Sequence, residues 1–109
     1  MITMHDTVFK ALADGTRRQM LDRLFELDGQ TLTELCRGMT SSRQAVTKHL
    51  GILEEAGLVA VIWQGREKRH FLNPVPVQTI AERWIHKFQT RQIATITALK
   101  RALEDEDKP

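Results

Sequence analysis

The spacing of apolar residues changes period twice along this chain, and those two changes restrict the fold to helices built around one β-hairpin. Up to Gly57 the period is helical. Val8, Phe9, Leu12 and Ala13 recur at three- and four-residue intervals, which predicts a first helix over 5–13. Asp14-Gly15 breaks it. Asp14 can then cap a second helix by accepting from the free N–H groups of Thr16 and Arg17. Met20, Leu21, Leu24, Phe25 and Leu27 form the apolar face of that helix, which stops at Asp28-Gly29. Gln30-Thr31-Leu32 reads as a short extended piece and Thr33 as the cap of a third helix over 34–38. Met39 to Ser41 make a turn. Ser42 caps a fourth helix ending at Ala56-Gly57, where the glycine supplies the left-handed residue that helix ends favour.

Beyond Gly57 the pattern is that of strands. Leu58 to Trp63 is apolar and rich in β-branched residues, and Gln64-Gly65-Arg66 is a turn. Glu67 to Leu72 alternates, with Lys68, His70 and Leu72 on one face and Arg69 and Phe71 on the other. Asn73-Pro74-Val75-Pro76 ends the hairpin, since proline cannot donate to a ladder. Helical spacing then returns over 77–103, with a stripe of Val77, Ile80, Ala81, Trp84, Ile85, Phe88, Gln92, Ile96, Leu99 and Leu103. A helix of that length spans roughly 40 Å, against roughly 26 Å for a domain of this size. The stripe overhangs any core one copy can offer. A second copy is the simplest cover for it, and a kinked helix folding back on itself is the alternative.

The chain is thus a mainly α fold with one β-hairpin, ordered helix, helix, helix, helix, strand, strand, helix. Its 109 residues form a single domain, 1–109, with one core. A hydrophobic share of 41% and a charged share of 28% suit a soluble globular protein. No apolar run approaches the ~20 residues of a membrane span, so no membrane partner is expected. Met1 to Lys10 has no secretory pattern. The single cysteine, Cys36, cannot form an internal disulfide. These features point to the cytoplasm.

The net charge is only +2, but it is unevenly placed. Acids crowd the tail, 104–109. From Thr40 to Leu53 there are Arg43, Lys48 and His49 and no acid, and Arg66, Lys68 and Arg69 cluster at the hairpin turn. On the fourth helix Val46, Leu50 and Leu53 share the buried side, which turns Arg43, Gln44, Thr47 and Lys48 toward solvent. Those are the groups that duplex DNA readout needs. Arginine pairs bidentately with guanine and glutamine with adenine, and threonine offers a hydroxyl and a methyl. Ser41 and Ser42, beside the free N–H groups of a helix start, suit a phosphate, and Thr40 before them is a further candidate for DNA contact. Lys48 and His49 are placed for backbone contact or packing, so Arg43 and Gln44 would carry the sequence specificity. Cations at the hairpin tip can follow a phosphate strand or enter a minor groove. Segment 31–73 therefore reads as a helix-turn-helix followed by a wing. There is no nucleophile–base arrangement, phosphate-cradling glycine loop or carboxylate pair, so an enzyme is not expected.

From Val8 to Asn73 the sequence resembles the ArsR/SmtB family of winged helix-turn-helix repressors. The residues that carry the resemblance are Phe9-Lys10-Ala11-Leu12-Ala13-Asp14-Gly15-Thr16-Arg17-Arg18, Thr33-Glu34-Leu35, Ser42 to Leu50, Leu53 to Val59, and Gly65-Arg66-Glu67-Lys68. Trp84-Ile85 and Phe88 resemble its metal-independent branch. The resemblance implies a homodimer built from the first and last helices, 5–13 and 77–103. That makes Val8, Phe9, Leu12, Trp84, Ile85, Phe88, Gln92, Ile96 and Leu99 candidate interface residues. It also implies helix 42–56 in the major groove and repression relieved by a signal. Gly15 stands where proline is common in the family, at a small cost in rigidity.

Family members that sense metals through the third helix carry Glu-Leu-Cys-x-Cys. Here Glu34-Leu35-Cys36 matches and Gly38 takes the place of the second cysteine. One thiolate cannot supply the three or four ligands required. Glu82 and His86 lie four apart on the last helix, but the family's ligand pattern around them is missing. No metal or cofactor is expected. The resulting expectation is a homodimeric repressor that reads an imperfect palindrome with half-sites about one DNA turn apart. The alternative is a winged-helix protein-interaction module without DNA binding. Its mark would be acids or large apolar residues on the solvent face of 42–53, and none is there.

Overall fold

The computed structural model describes residues 4–106. Its elements are α1 (Met4–Leu12), α2 (Gly15–Glu26), α3 (Leu32–Arg37), α4 (Arg43–Glu55), β1 (Val59–Gln64), β2 (Glu67–Leu72) and α5 (Val75–Glu106). The order and types are those expected. Residues 107–109 of the acidic tail lie outside the described part. Among the described residues no helix is long and apolar enough to cross a membrane.

Two helix starts lie two residues earlier than expected, and the last helix runs on to Glu106. Helix α3 begins at Leu32, not Glu34, because Thr31 is its cap: the Thr31 Oγ1 accepts from the Glu34 N–H at 3.2 Å. Thr33 is inside the helix and exposed. Helix α5 begins at Val75, so Pro76 lies in its first turn and not in a loop. Proline is tolerated there because first-turn N–H groups have no partner within the helix.

The chain divides after Val77 into two compact units. In the first, Val8, Ala11, Met20, Leu24, Leu35, Val46, Leu50, Leu53, Leu58 and Val59 form the core. Val8 is fully buried there, which corrects its assignment to an interface; Phe9, half exposed, is the large apolar residue that α1 presents to solvent. The corner between α1 and α2 is held by arginines. Arg17 donates to the Ala11 and Lys10 carbonyls at 2.7 and 3.0 Å, and Arg18 donates to that of Leu12 at 2.6 Å. Together they satisfy orphan carbonyls at the end of α1.

Strands β1 and β2 pair antiparallel from Val59↔Leu72 to Gln64↔Glu67. Gly65, at φ +63°, makes the tight two-residue turn with Arg66. On its other edge β2 is held by the link between α2 and α3. Gly29 N–H donates to the His70 carbonyl and His70 N–H to the Gln30 carbonyl, both at 2.9 Å. The Leu72 N–H donates to Asp28 Oδ1 at 2.8 Å. Residues 28–30 thus act as a strap along the strand.

The second unit, 78–109, is helical through its described residues, so α5 runs unbroken for 32 residues. Trp84, Ile85, Phe88, Ile93, Ile96, Leu99 and Leu103 are all exposed along it. Ile93 lies off the stripe expected from spacing. The Trp84 and Phe88 rings sit 5.7 Å apart, and Lys87 Nζ lies 5.7 Å from the Trp84 ring centre.

Candidate nucleic-acid interface

Helix α4 starts cleanly because the Ser42 Oγ accepts from the Ala45 N–H at 3.1 Å. Its buried side is Val46, Leu50 and Leu53. That fixes the opposite side, and Ser42, Arg43, Gln44, Thr47 and Lys48 are all exposed, as is Thr40 in the preceding turn. Ser41 is half-buried. Arg43 Nη1 donates to the Thr33 Oγ1 at 3.3 Å, a long and exposed contact that a stronger partner would displace. The Thr47 hydroxyl donates back to the Arg43 carbonyl at 2.8 Å, which leaves its oxygen lone pairs free to accept.

His49 belongs to a different side of α4. Its Nδ1 lies 3.1 Å from Arg17 Nη1. Asp14 Oδ2 lies 3.8 Å from the same nitrogen. Of the two expected roles of His49, backbone contact or packing, these contacts place it in packing at the α1–α2 corner. Asp14 itself caps α2 through the Arg17 N–H at 3.0 Å. That bond holds its carboxyl below the usual carboxylate range against partial desolvation, with the His49 and Arg17 charges and the Thr16 N–H acting the same way.

Helix α3, the exposed side of α4 and strand β2 enclose an open groove of about 670 Å³. Arg37, Arg43 and Thr47 line it from the helices, and Arg66 and Lys68 from the wing. At its floor Glu54 Oε1 lies 3.4 Å from both Lys68 Nζ and His70 Nε2. His70 is 1% exposed. Its Nδ1 lies 2.8 Å from the Gln30 carbonyl, an acceptor only, so Nδ1 carries a proton. This carboxylate joins α4 to the wing, a link that spacing along the sequence gives no sign of.

The three wing cations divide by role. Arg66 is exposed at the tip, and Lys68 is 42% exposed while pairing with Glu54. Arg69 is committed elsewhere: Nη1 donates to the Gly29 carbonyl at 2.9 Å and Nη2 to Glu67 Oε2 at 2.6 Å, while Nε is buried. In this structure Arg69 brackets the wing to the strap.

The geometry around Gly38 bears on metal binding. A Cβ at that position would collide with the Arg23 guanidinium. The Arg23 guanidinium lies over this position, beside the half-buried Cys36, which is the one thiol on the helix. This donor set does not fit a metal on α3.

Residues 12–62 match a model described as a helix-turn-helix domain. The chain is 40% identical over 86 residues to the uncharacterized HTH-type transcriptional regulator YuzN of Bacillus subtilis, covering 73% of this chain and 94% of that protein. It is 34% identical over 67 residues to the arsenical resistance operon repressor of Escherichia coli, covering 62% of this chain and 57% of that one. Among solved structures, an ArsR-like transcriptional regulator from Rhodococcus sp. RHA1 superposes with a TM-score of 0.75 at 31% identity, over 94% of this chain and 92% of that one.

Proposed function

This chain belongs to the ArsR family of winged helix-turn-helix transcriptional regulators, and from that premise we propose that it is a homodimeric repressor. Helix α4 of each copy reads one half-site of an imperfect palindrome from the major groove. The observation that carries this reading is the exposed side of α4, where Ser42, Arg43, Gln44, Thr47 and Lys48 stand together without an acid. Ser42 and the α4 N-terminus anchor a phosphate, Arg43 and Gln44 read base edges, and Thr40, Ser41 and Lys48 hold the backbone. Arg66 and Lys68 extend the contact along the wing. The repressor sense is supported by likeness to the arsenical resistance operon repressor. The dimer is supported by the apolar residues exposed on α5, with Trp84, Ile85 and Phe88 at its centre and Gln92, Ile96 and Leu99 beyond; Phe9 and Leu12 of α1 contribute.

The test is Arg43→Ala against a panel of duplexes selected by the wild type. Discrimination among single-base variants at one position of each half-site should collapse by roughly ten- to a hundredfold. Weaker, salt-sensitive binding should persist. Equal loss on selected and random duplexes would make Arg43 a positioning residue only.

A further inference from the structure

We propose that the wing tip carries an apolar wedge, Trp63 with Ile62, that enters the minor groove of duplex DNA flanking the α4 contact. The proposal rests on the reading of α4 as the DNA-binding helix. Directly paired residues of a hairpin share a face. One face of this hairpin therefore holds the pairs Val59↔Leu72, Val61↔His70 and Trp63↔Lys68. The row starts over the core, where Val59 is 4% exposed, and runs out past its edge, where Trp63 is 65% exposed. Ile62, on the opposite face, is 56% exposed. The tip thus shows a large apolar side chain on each side of the sheet, with nothing of the first unit covering either.

The turn does not require them, because Gly65 supplies the left-handed residue that closes the hairpin. Two large apolar groups held in water on a narrow projection mark a surface that is buried on binding. Charge selects the partner. Arg66 is exposed beside them, and Lys68 stands directly across from Trp63. The nearby acids are engaged: Glu67 binds Arg69, and Glu54 is shared by Lys68 and His70. The uncompensated charge at the tip is positive, which favours a polyanion. Arg66 and Lys68 also line the same groove as Arg43 and Thr47, so the tip is continuous with the α4 surface. Apolar wedges beside cations are the means by which proteins enter and bend a minor groove.

The experiment uses the full chain and a duplex it selects from a random pool. Trp63→Ala should weaken binding about tenfold. The slope of affinity against salt should stay unchanged, because no phosphate contact is lost. Trp63→Phe should restore most of the affinity. Arg66→Ala should instead reduce the salt slope by about one. A bis-benzimidazole minor-groove ligand should compete with the wild type and lose that effect in Trp63→Ala. Binding by Trp63→Ala within twofold of the wild type overturns the wedge while leaving the α4 reading intact. Loss of affinity together with a smaller sedimenting mass overturns it in favour of a contact between two copies of the chain. If the wild type selects no duplex at low salt, the α4 reading itself fails and the wedge fails with it. Thermal unfolding should be unchanged in both Trp63 variants, because the side chain lies outside the core.

Discussion

Asp14 both ends one helix and starts the next, and its charge makes that corner sensitive to acid. Its folded-state pKa lies below the unfolded value. Its contribution to stability is therefore complete above the ordinary carboxylate value near 4 and is lost as pH falls through the folded value. Asp14→Asn keeps an acceptor for the Arg17 N–H and has no proton to gain. Thermal unfolding followed by circular dichroism from pH 6 to pH 3 should show the wild type losing stability that the Asp14→Asn variant retains; parallel profiles would refute this. The Asp14 cap is legible in the sequence because a cap and its donor sit within three residues. The reason for Gly38 is not. The gap in the cysteine pair is plain in the chain, but the guanidinium that lies over Gly38 comes from Arg23, on another helix. The contacts of His49 and Arg69 are hidden for the same cause: a basic residue looks free until its partner, distant in sequence, is known.

At the scale of elements, periodicity places every helix and strand, and errors arise at ends where two signals compete. Thr31 and Thr33 are both caps by type. Only Thr31 has glutamate three residues on, the pairing that marks a capping box, and the structure follows it. Prolines 74 and 76 together read as a stop, although the second suits a first helical turn. The wing is the element whose position matters most. It is fixed to α4 through His70, which bridges the Gln30 carbonyl and Glu54 while filling the space beneath the strand. His70→Ala should lower the urea midpoint by an amount equivalent to about 2–3 kcal/mol, from the hole left beneath the strand; the Gln30 carbonyl keeps the backbone N–H of residue 70. The slope of unfolding against urea should be unchanged. A loss below about 0.5 kcal/mol, within the range of ordinary surface substitutions, would show that the cluster is ornamental to stability.

For the whole molecule, the apolar stripe discloses one helix longer than a single core needs, and the structure draws it as 32 unbroken helical residues, about 48 Å. Trp84 and Phe88 stack on each other while remaining about half exposed. Trp84→Ala should shift sedimentation toward the monomer at micromolar concentration and weaken binding to a two-half-site duplex far more than to a single half-site. An unchanged mass would remove this residue from the interface. What sequence could not supply is the strap, 28–30, which pairs with β2 through Gly29 and Gln30 and leads straight into α3. It gives the domain one pinned end and one free end for changes in chain length. Residues inserted as matched pairs on either side of Gly65-Arg66 would lengthen the hairpin by about 3.3 Å per residue and turn no side chain over. A single insertion between Glu26 and Leu32 would slip the strap by one position, reversing which groups meet β2 and carrying the helix-turn-helix with it. New reach can therefore be acquired at the wing tip, while the linker between α2 and α3 is held to its length.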